Sequence, residues 1–149
     1  MNGNEVNLEG KRNVEAELRR RGAASVSYHK HETKIEYLHS SNAEDSRTVR
    51  IQVKVKRKGS WHTTGSAGEQ TDTPPEDVSK FWIFVDLGGK PRYWIVPEWW
   101  IKNNIYEVHK QYLAKNNGHR PVNDASDHHG IVEKRLEGWL ERWDLLGIF

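Results

Sequence analysis

Cysteine is absent from the 149 residues of this chain. Disulfide scaffolds, zinc sites built on thiolates and catalysis by a thiol are therefore excluded. The chain also lacks a long hydrophobic run, because no segment approaches the roughly 18 apolar residues that a membrane span needs. The first segment, MNGNEVNLEGKRN, is too polar for a signal peptide. These absences predict a cytoplasmic protein.

A strong excess of one charge is missing as well. The 23 lysines and arginines nearly balance the 21 aspartates and glutamates, which leaves a net charge of +2. Any attraction to nucleic acid must therefore come from a local patch. Aromatic residues, in contrast, make up 10% of the chain and include seven tryptophans, far too many for a disordered charged tail. The length suits a single domain, residues 1–149, with its own core.

The apolar pattern predicts an α/β protein that begins with a helix from about residue 8 to a C-cap at Gly22. Short strands are predicted at about 24–28, 34–39 and 47–56, and the segment SSNAEDS favours a turn between the last two. Residues 57–79, rich in glycine, serine, threonine and proline, predict a mobile loop that closes with a helical turn at 75–79. The runs KFWIFVDL and PRYWIVP then predict two interior strands, covered on both faces.

Two helices are predicted to follow. Residues 97–117 place Ile101, Ile105, Val108 and Tyr112 on one helical face. A last helix over 132–147 is predicted to bury Leu136, Trp139, Leu140, Trp143 and Leu146. Its tryptophan stripe is typical of core packing or of a homodimer interface. The predicted architecture is a central mixed sheet flanked by helices, with a core of about 8–100 and a C-terminal helical extension of about 97–147.

The strand TVRIQVKVK carries the most informative polar side. Residues two apart on a strand point to the same face, so Gln52 and Lys54 present an amide oxygen and an ammonium together. A hairpin return through SSNAEDS could bring Glu36 alongside Gln52 and supply a carboxylate. Phosphodiester cleavage needs such a set, because a hard cation is held by oxygen ligands beside the phosphate while a nearby lysine orients the water. A solvated strand face explains the same alternation without any site.

Cations continue past this strand. Lys56, Arg57 and Lys58 could follow a phosphate backbone, and Trp61 could stack on an exposed base. An edge that discourages strand-to-strand aggregation would also be cationic. Both interpretations stay open at the level of sequence.

Adjacent histidines, His128 and His129, raise a separate metal hypothesis. With His119, Asp124 and Asp127 nearby they could hold a transition metal. Vicinal side chains rarely ligate one ion, so a role in tethering or capping the loop is the favoured interpretation.

Taken with the helix and strands before it, the run IQVKVKRKGSW followed by FWIFVDLGGKPRYWIVPEWW resembles the PD-(D/E)XK, or restriction-endonuclease-like, superfamily over about residues 10–100. It is similar in particular to small uncharacterised members with a Gln-x-Lys half-motif. The resemblance implies a restriction-endonuclease-like core and a nuclease that cleaves DNA with Mg²⁺ or Mn²⁺. It places Gln52 and Lys54 on the half-motif and Glu36 at the position of the metal-binding aspartate. The Val53 carbonyl would be a third metal ligand.

Two positions depart from the family pattern. Glu36 stands where an aspartate is usual, and Lys11 stands where the first helix usually carries a metal-binding glutamate, with Glu15 one turn on as a substitute. Two functions are therefore expected. One is a metal-dependent nuclease that uses Glu36, Gln52, Lys54 and Glu15. The other is a degenerate module that binds nucleic acid or a protein without cutting, in which the Lys11 ammonium neutralises Glu36 and replaces the metal.

Overall fold

The N-terminal helix, α1, begins at Gly3 and ends at Arg21 in the computed structural model, which describes residues 2–30, 35–115 and 128–149. The side chain of Asn2 caps the first turn by accepting a hydrogen bond from the Glu5 backbone N–H, at 2.9 Å. Gly22 ends the helix with φ +115°, a left-handed conformation that favours glycine. The predicted helix is confirmed, and its cap at Asn2 lets it start earlier than its apolar stripe does.

The strands along the described chain are β1 Ser25–Lys30, β2 Glu36–Ser41, β3 Thr48–Lys56, β4 Trp61–Thr64, β5 Lys80–Asp86, β6 Arg92–Pro97 and β7 His128–Ile131. Five of them form the central sheet, in the order β1-β2-β3-β5-β6. The pair β3 and β5 is parallel, whereas the other neighbours in this sheet are antiparallel. The predicted α/β architecture with a mixed central sheet is therefore confirmed.

Part of the predicted loop over 57–79 is ordered as a strand instead. Strand β4 pairs with β7 in a second, two-stranded antiparallel sheet. Trp61, at the start of β4, is 1% exposed and fixes this strand to the core. The helical turn predicted at 75–79 is absent, and the Ser79 carbonyl instead accepts a hydrogen bond from the Arg50 backbone N–H, at 2.8 Å.

Two apolar clusters lie on the two faces of the central sheet. The α1-side cluster contains Val14, Leu18, Leu38, Val49, Ile51, Phe81, Ile83, Val85, Tyr93, Ile95 and Trp143, among others. The α2-side cluster lies under the second helix, α2 (Glu98–Lys115), and contains Trp61, Trp82, Phe84, Trp94, Val96, Ile101, Ile105, Ile131 and Leu136. Strands β5 and β6 contribute alternate residues to both clusters. Their near-continuous apolar sequence follows from this burial on both faces, as predicted.

Helix α2 begins at Glu98 and ends at Lys115. Ile101 and Ile105 are buried, while Val108 and Tyr112 are half-buried. The predicted apolar face is therefore confirmed, and it is more deeply buried in the first half of the helix. Among the described residues, neither helix is apolar enough over a sufficient length to cross a membrane.

The C-terminal helix predicted over 132–147 is wrong. The chain forms two short 3-10 segments there, Glu133–Trp139 and Trp143–Leu146. Between them Leu140 is 45% exposed and bridges to Trp94 on the edge strand β6, which interrupts a helix. Trp139 packs on the α2 side, whereas Trp143 is buried on the α1 side. The tryptophan stripe on which the predicted homodimer depended is therefore not formed.

Candidate nucleic-acid site

The polar side of β3 faces α2, as its alternation predicted. Val53 and Val55 pack against the α1-side cluster, whereas Gln52 and Lys54 lie beside Trp82 and Phe84 of the parallel strand β5. The Lys54 ammonium is 5.4 Å from the centre of the Trp82 ring. The amide and the ammonium of the half-motif therefore lie on one face.

Glu36 lies on the opposite face of the sheet. The β2–β3 register pairs Leu38 with Ile51, and both belong to the α1-side cluster. Glu36 is two residues before Leu38 on β2, so its side chain lies on the same side of the sheet. The Glu36 carboxylate accepts a hydrogen bond from the Lys11 ammonium of α1, at 3.1 Å. The predicted placement of Glu36 alongside Gln52 is therefore wrong, because a one-residue difference in register reverses the face.

Tyr37, not Glu36, lies on the same side of the sheet as Gln52. The Arg50 guanidinium lies 4.2 Å from the centre of the Tyr37 ring, on the α2 side. Tyr37 and Gln52 line the same cavity. An aromatic ring, not a carboxylate, is therefore the contribution of β2 to the Gln52 side.

Glu15 is also on the α1 side. It pairs with Arg19 on its own helix at 3.2 Å. The nearby Tyr28 hydroxyl donates a hydrogen bond to the Lys11 carbonyl, at 2.7 Å. Burial raises the pKa of Tyr28, and the negative charges of Glu15 and Glu36 raise it further. Both carboxylates therefore lie near this phenol, away from Gln52.

The predicted metal ligands do not fit a single ion. The Glu36 carboxylate is on the α1 side, whereas the Gln52 amide is on the α2 side. Within residues 2–30, 35–115 and 128–149, no group of three or more histidines, aspartates and glutamates is placed to hold a metal. A Mg²⁺ or Mn²⁺ site built from Glu36, Gln52 and Val53 is therefore not supported by this geometry.

Lys54 is the least compensated cation of the site. In the described part of the chain no carboxylate lies within 4.0 Å of its ammonium, and burial lowers its pKa. A partly buried ammonium without a counter-charge is costly, since the charged form loses hydration and the Trp82 ring is only a weak substitute for an anion. An anion that entered beside it would recover part of that cost.

Two cavities are both lined by Lys54. Lys54 lies in the part of β3 that follows Ile51, the last residue of β3 that pairs with β2. A cavity of about 300 Å³ is lined by Asn7, Lys11, Val53, Lys54, Val55, Trp61 and His62. A cavity of about 540 Å³ lies on the α2 side, and its lining includes Tyr37, Gln52, Lys54, Glu69, Trp82, Glu98 and Lys102. The first brings Lys11 and Lys54 together and has no carboxylate in its described lining. This pairing of two ammonium groups was not predicted, because it depends on where β2 leaves β3.

The larger cavity is also rich in donors. The Trp82 indole N–H is buried, with the residue 3% exposed, and it has no hydrogen-bond partner among the described residues. The Glu98 carboxylate is held by Arg50 at 3.2 Å and by Lys102 at 3.3 Å. Its charge is therefore compensated inside the protein. Sequence reasoning missed Trp82 because its place beside Gln52 depends on the parallel pairing of β3 with β5.

Trp61 does not offer a surface for a base. Its indole N–H donates a hydrogen bond to the Val85 carbonyl at 3.0 Å, and the Lys56 ammonium lies 4.7 Å from the centre of its ring. The prediction that Trp61 stacks on an exposed base is therefore wrong, since its ring is buried. The four residues WHTT carry no apolar alternation that would signal this burial, which depends on the pairing of β4 with β7.

The cations after the strand differ in their partners. Lys56 pairs with Asp86 at 3.4 Å, and Arg57 lies 3.9 Å from Glu9. Lys58 is exposed. Lys56, Arg57 and Lys58 also line a cavity of about 580 Å³ at the N-terminal end of α1. Two of the three cations therefore have an acidic partner within the chain, and the role of this surface in binding phosphates stays a prediction.

The adjacent histidines point to opposite sides of β7. His129 is buried, and its Nε2 accepts a hydrogen bond from Arg135 at 2.9 Å. His128 is exposed, and its Nε2 lies 3.0 Å from Nδ1 of His62 on β4. A metal shared by His128 and His129 is therefore wrong. The other predicted members of that group, His119, Asp124 and Asp127, lie outside the described residues.

No protein-family model, no curated protein and no solved structure matches this chain. The resemblance to the PD-(D/E)XK superfamily therefore stays a prediction.

Proposed function

We propose that this protein binds nucleic acid through its phosphates, between Lys11 and Lys54, and does not cut it. In the terms of the resemblance, it is a nuclease-like fold in which the binding surface is kept and the metal centre is lost. Nucleic acid is encountered in the cytoplasm, which is where we place this activity.

The observation that carries the proposal is the cavity of about 300 Å³ lined by both ammonium groups. Lys11 is paired with Glu36 at 3.1 Å, so the uncompensated positive charge of this cavity is that of Lys54. A phosphate oxygen there would accept charge-assisted hydrogen bonds, which are roughly twice as strong as neutral ones. The exposed Lys58 lines a neighbouring cavity beyond the end of β3 and supplies a second positive charge. Cations in two neighbouring cavities suit a chain of phosphates better than a single small anion.

The ion pair of Lys11 with Glu36 supports binding without cleavage. Metal-dependent cleavage needs a carboxylate that holds the cation beside the phosphate. The Glu36 carboxylate is already held at 3.1 Å by the Lys11 ammonium and lies across the sheet from Gln52. A dication that displaced Lys11 would still lack the Gln52 oxygen.

The test is the binding of labelled single-stranded and duplex DNA, followed by fluorescence anisotropy in buffer with EDTA between 50 and 200 mM salt. Replacing Lys54 by methionine removes the charge and keeps the length of the side chain. We expect Lys54→Met to weaken binding and to reduce the salt slope by about 0.7 for a single strand or about 0.9 for a duplex, one phosphate contact. Lys134→Met, an exposed lysine in the segment Glu133–Trp139, is the matched control and should leave both unchanged. Equal binding by wild type and Lys54→Met, or no binding by wild type, would overturn the proposal.

A metal-dependent endonuclease is the second candidate, and one observation favours it. The lowered pKa of Lys54 is typical of a lysine that takes up a proton, and Gln52 lies beside it in a cavity that Glu69 also lines. In that case Glu69, not Glu36, would be the carboxylate. Nicking of supercoiled DNA in Mn²⁺ that is retained in Lys134→Met but lost in both Lys54→Met and Glu69→Gln would establish this candidate and exclude binding alone.

A further inference from the structure

His62 and His128 lie on neighbouring strands of the small β4–β7 sheet. The register pairs Thr64 with His128 and His62 with Gly130, so the two histidines are diagonal neighbours on one side of this sheet. Both are exposed, whereas Trp61 and Ile131, on its other side, are buried in the α2-side cluster. The strands thus place the two imidazoles side by side on the exposed face of this sheet.

The distance between the two rings fits a shared metal ion. Nδ1 of His62 and Nε2 of His128 are 3.0 Å apart, and the ring centres are 4.6 Å apart. Two imidazole nitrogens at about 2.0–2.1 Å from one ion are roughly 2.9 Å apart at a 90° angle and roughly 3.4 Å apart at a tetrahedral angle. The observed separation falls between these limits and therefore matches two ligands of one ion.

We propose that His62 and His128 form a two-histidine site for a borderline transition metal such as Cu²⁺, Ni²⁺ or Zn²⁺. Imidazole nitrogens suit these ions and not Mg²⁺, which prefers oxygen ligands. Lys54 and Lys56 line the cavities that His62 also lines, and their charges oppose a dication. The site therefore requires the ions that bind imidazole most strongly, in the order Cu²⁺ above Ni²⁺ and Zn²⁺.

Such an ion would stabilise the pairing of β4 with β7, because it would bind one histidine from each strand. Their pairing is only four residues long, and two-stranded sheets of this size are marginally stable alone. Because binding needs both strands in place, the metal stabilises their paired state by mass action. The site does not depend on the proposed binding of nucleic acid and is tested without it.

The chain offers a matched control in a second pair of histidines. The rings of His29 on β1 and His39 on β2 are 4.7 Å apart at their centres, close to the separation of the proposed site, but meet edge to face at 87°. His29→Gln therefore removes one histidine of a similar pair elsewhere in the fold. His62→Gln and His128→Gln are the test variants, all prepared without a histidine tag.

The experiment is calorimetric titration of the metal-free protein with NiCl₂ and ZnCl₂, together with electron paramagnetic resonance of the Cu²⁺ form. We expect one ion per chain, two coupled imidazole nitrogens on Cu²⁺, and a loss of affinity of about tenfold or more in either test variant. Amide hydrogen exchange within residues 61–64 and 128–131 should slow on addition of Ni²⁺ in the wild type and in His29→Gln. No binding at one equivalent, binding that His62→Gln leaves intact, or binding that His29→Gln abolishes would overturn the site. In each case the 3.0 Å contact would be an N–H···N hydrogen bond alone.

Discussion

Gly10 sets how closely α1 approaches the sheet. A Cβ atom added to Gly10 would lie 2.3 and 2.6 Å from the two γ-carbons of Val55 and 3.0 Å from its Cβ. Ordinary contacts between carbons are about 3.5–4.0 Å, so Gly10→Ala would require a separation of roughly 1 Å. Rotation of Val55 cannot provide this, because its Cβ is itself too close.

The magnitude follows from two opposed effects. Overpacking of this kind costs about 1–3 kcal/mol, and the three close atoms place Gly10→Ala in the upper part of that range. Alanine in place of glycine inside a helix returns about 0.5–1 kcal/mol. We therefore expect a net destabilisation of about 1–2 kcal/mol, measured from the urea midpoint by tryptophan fluorescence.

Two further variants isolate the cause. Gly3→Ala also adds a methyl group to α1, but no atom lies within 4 Å of the new Cβ, so stability should be unchanged or slightly higher. Val55→Ala removes both γ-carbons, so the destabilisation of the double variant Gly10→Ala/Val55→Ala should be smaller than the sum of the destabilisations of the two single variants. If Gly10→Ala equals or exceeds the wild type in stability, α1 does not pack on β3 as described, and the placement of Lys11 in the cavity fails with it.

Three other predictions concern the site. Trp61→Phe removes the indole N–H that donates to the Val85 carbonyl and leaves a void, so we expect the free energy of unfolding to fall by about 2 kcal/mol. The salt slope of DNA binding should stay unchanged, and a changed slope would mean that Trp61 contacts the nucleic acid. Burial lowers the pKa of Lys54 below the ordinary lysine pKa of 10.5. Between the lowered pKa and 10.5 the unfolded protein binds more protons than the folded one, so the free energy of unfolding should rise with pH in that window. Lys54→Met should therefore be more stable than wild type at pH 7, with a difference that narrows at pH 10; a difference independent of pH would contradict the burial of the charge. A double-mutant cycle of Lys11→Met and Glu36→Gln should give a coupling of about 0.2–1 kcal/mol, since both side chains are 28% exposed, and a coupling near zero would mean that the pair does not form in solution.

The sequence predicted the elements whose pattern is local. Helix α1 ends at the predicted Gly22, and the hairpin of β2 and β3 turns at the predicted asparagine. The near-continuous apolar runs of β5 and β6 indicated burial on both faces. In each case one periodicity or one capping residue is sufficient, and no distant partner changes the outcome.

The elements that failed depend on distant partners. The C-terminal segment has helical periodicity, but Leu140 pairs with Trp94 on the edge strand, and Glu141 takes a positive φ of 55°. The tryptophans on either side then pack on opposite faces of the sheet. Similarly, β4 looks like a loop until β7 is placed beside it. Periodicity in one segment carries no information about such a partner.

The candidate site shows the same division on the scale of one residue. The side of β3 on which Gln52 and Lys54 lie could be read from its alternation, because a strand has only two faces. The side on which Glu36 lies could not, since it depends on the β2–β3 register, and that register pairs Leu38 with Ile51. Had the pairing been shifted by one residue, Glu36 would face Gln52 and Tyr37 would face α1. This register therefore decides whether Glu36 and Gln52 can act on the same metal ion. The cation of α1 that satisfies Glu36 is Lys11, the residue whose departure from the family pattern was visible in the sequence.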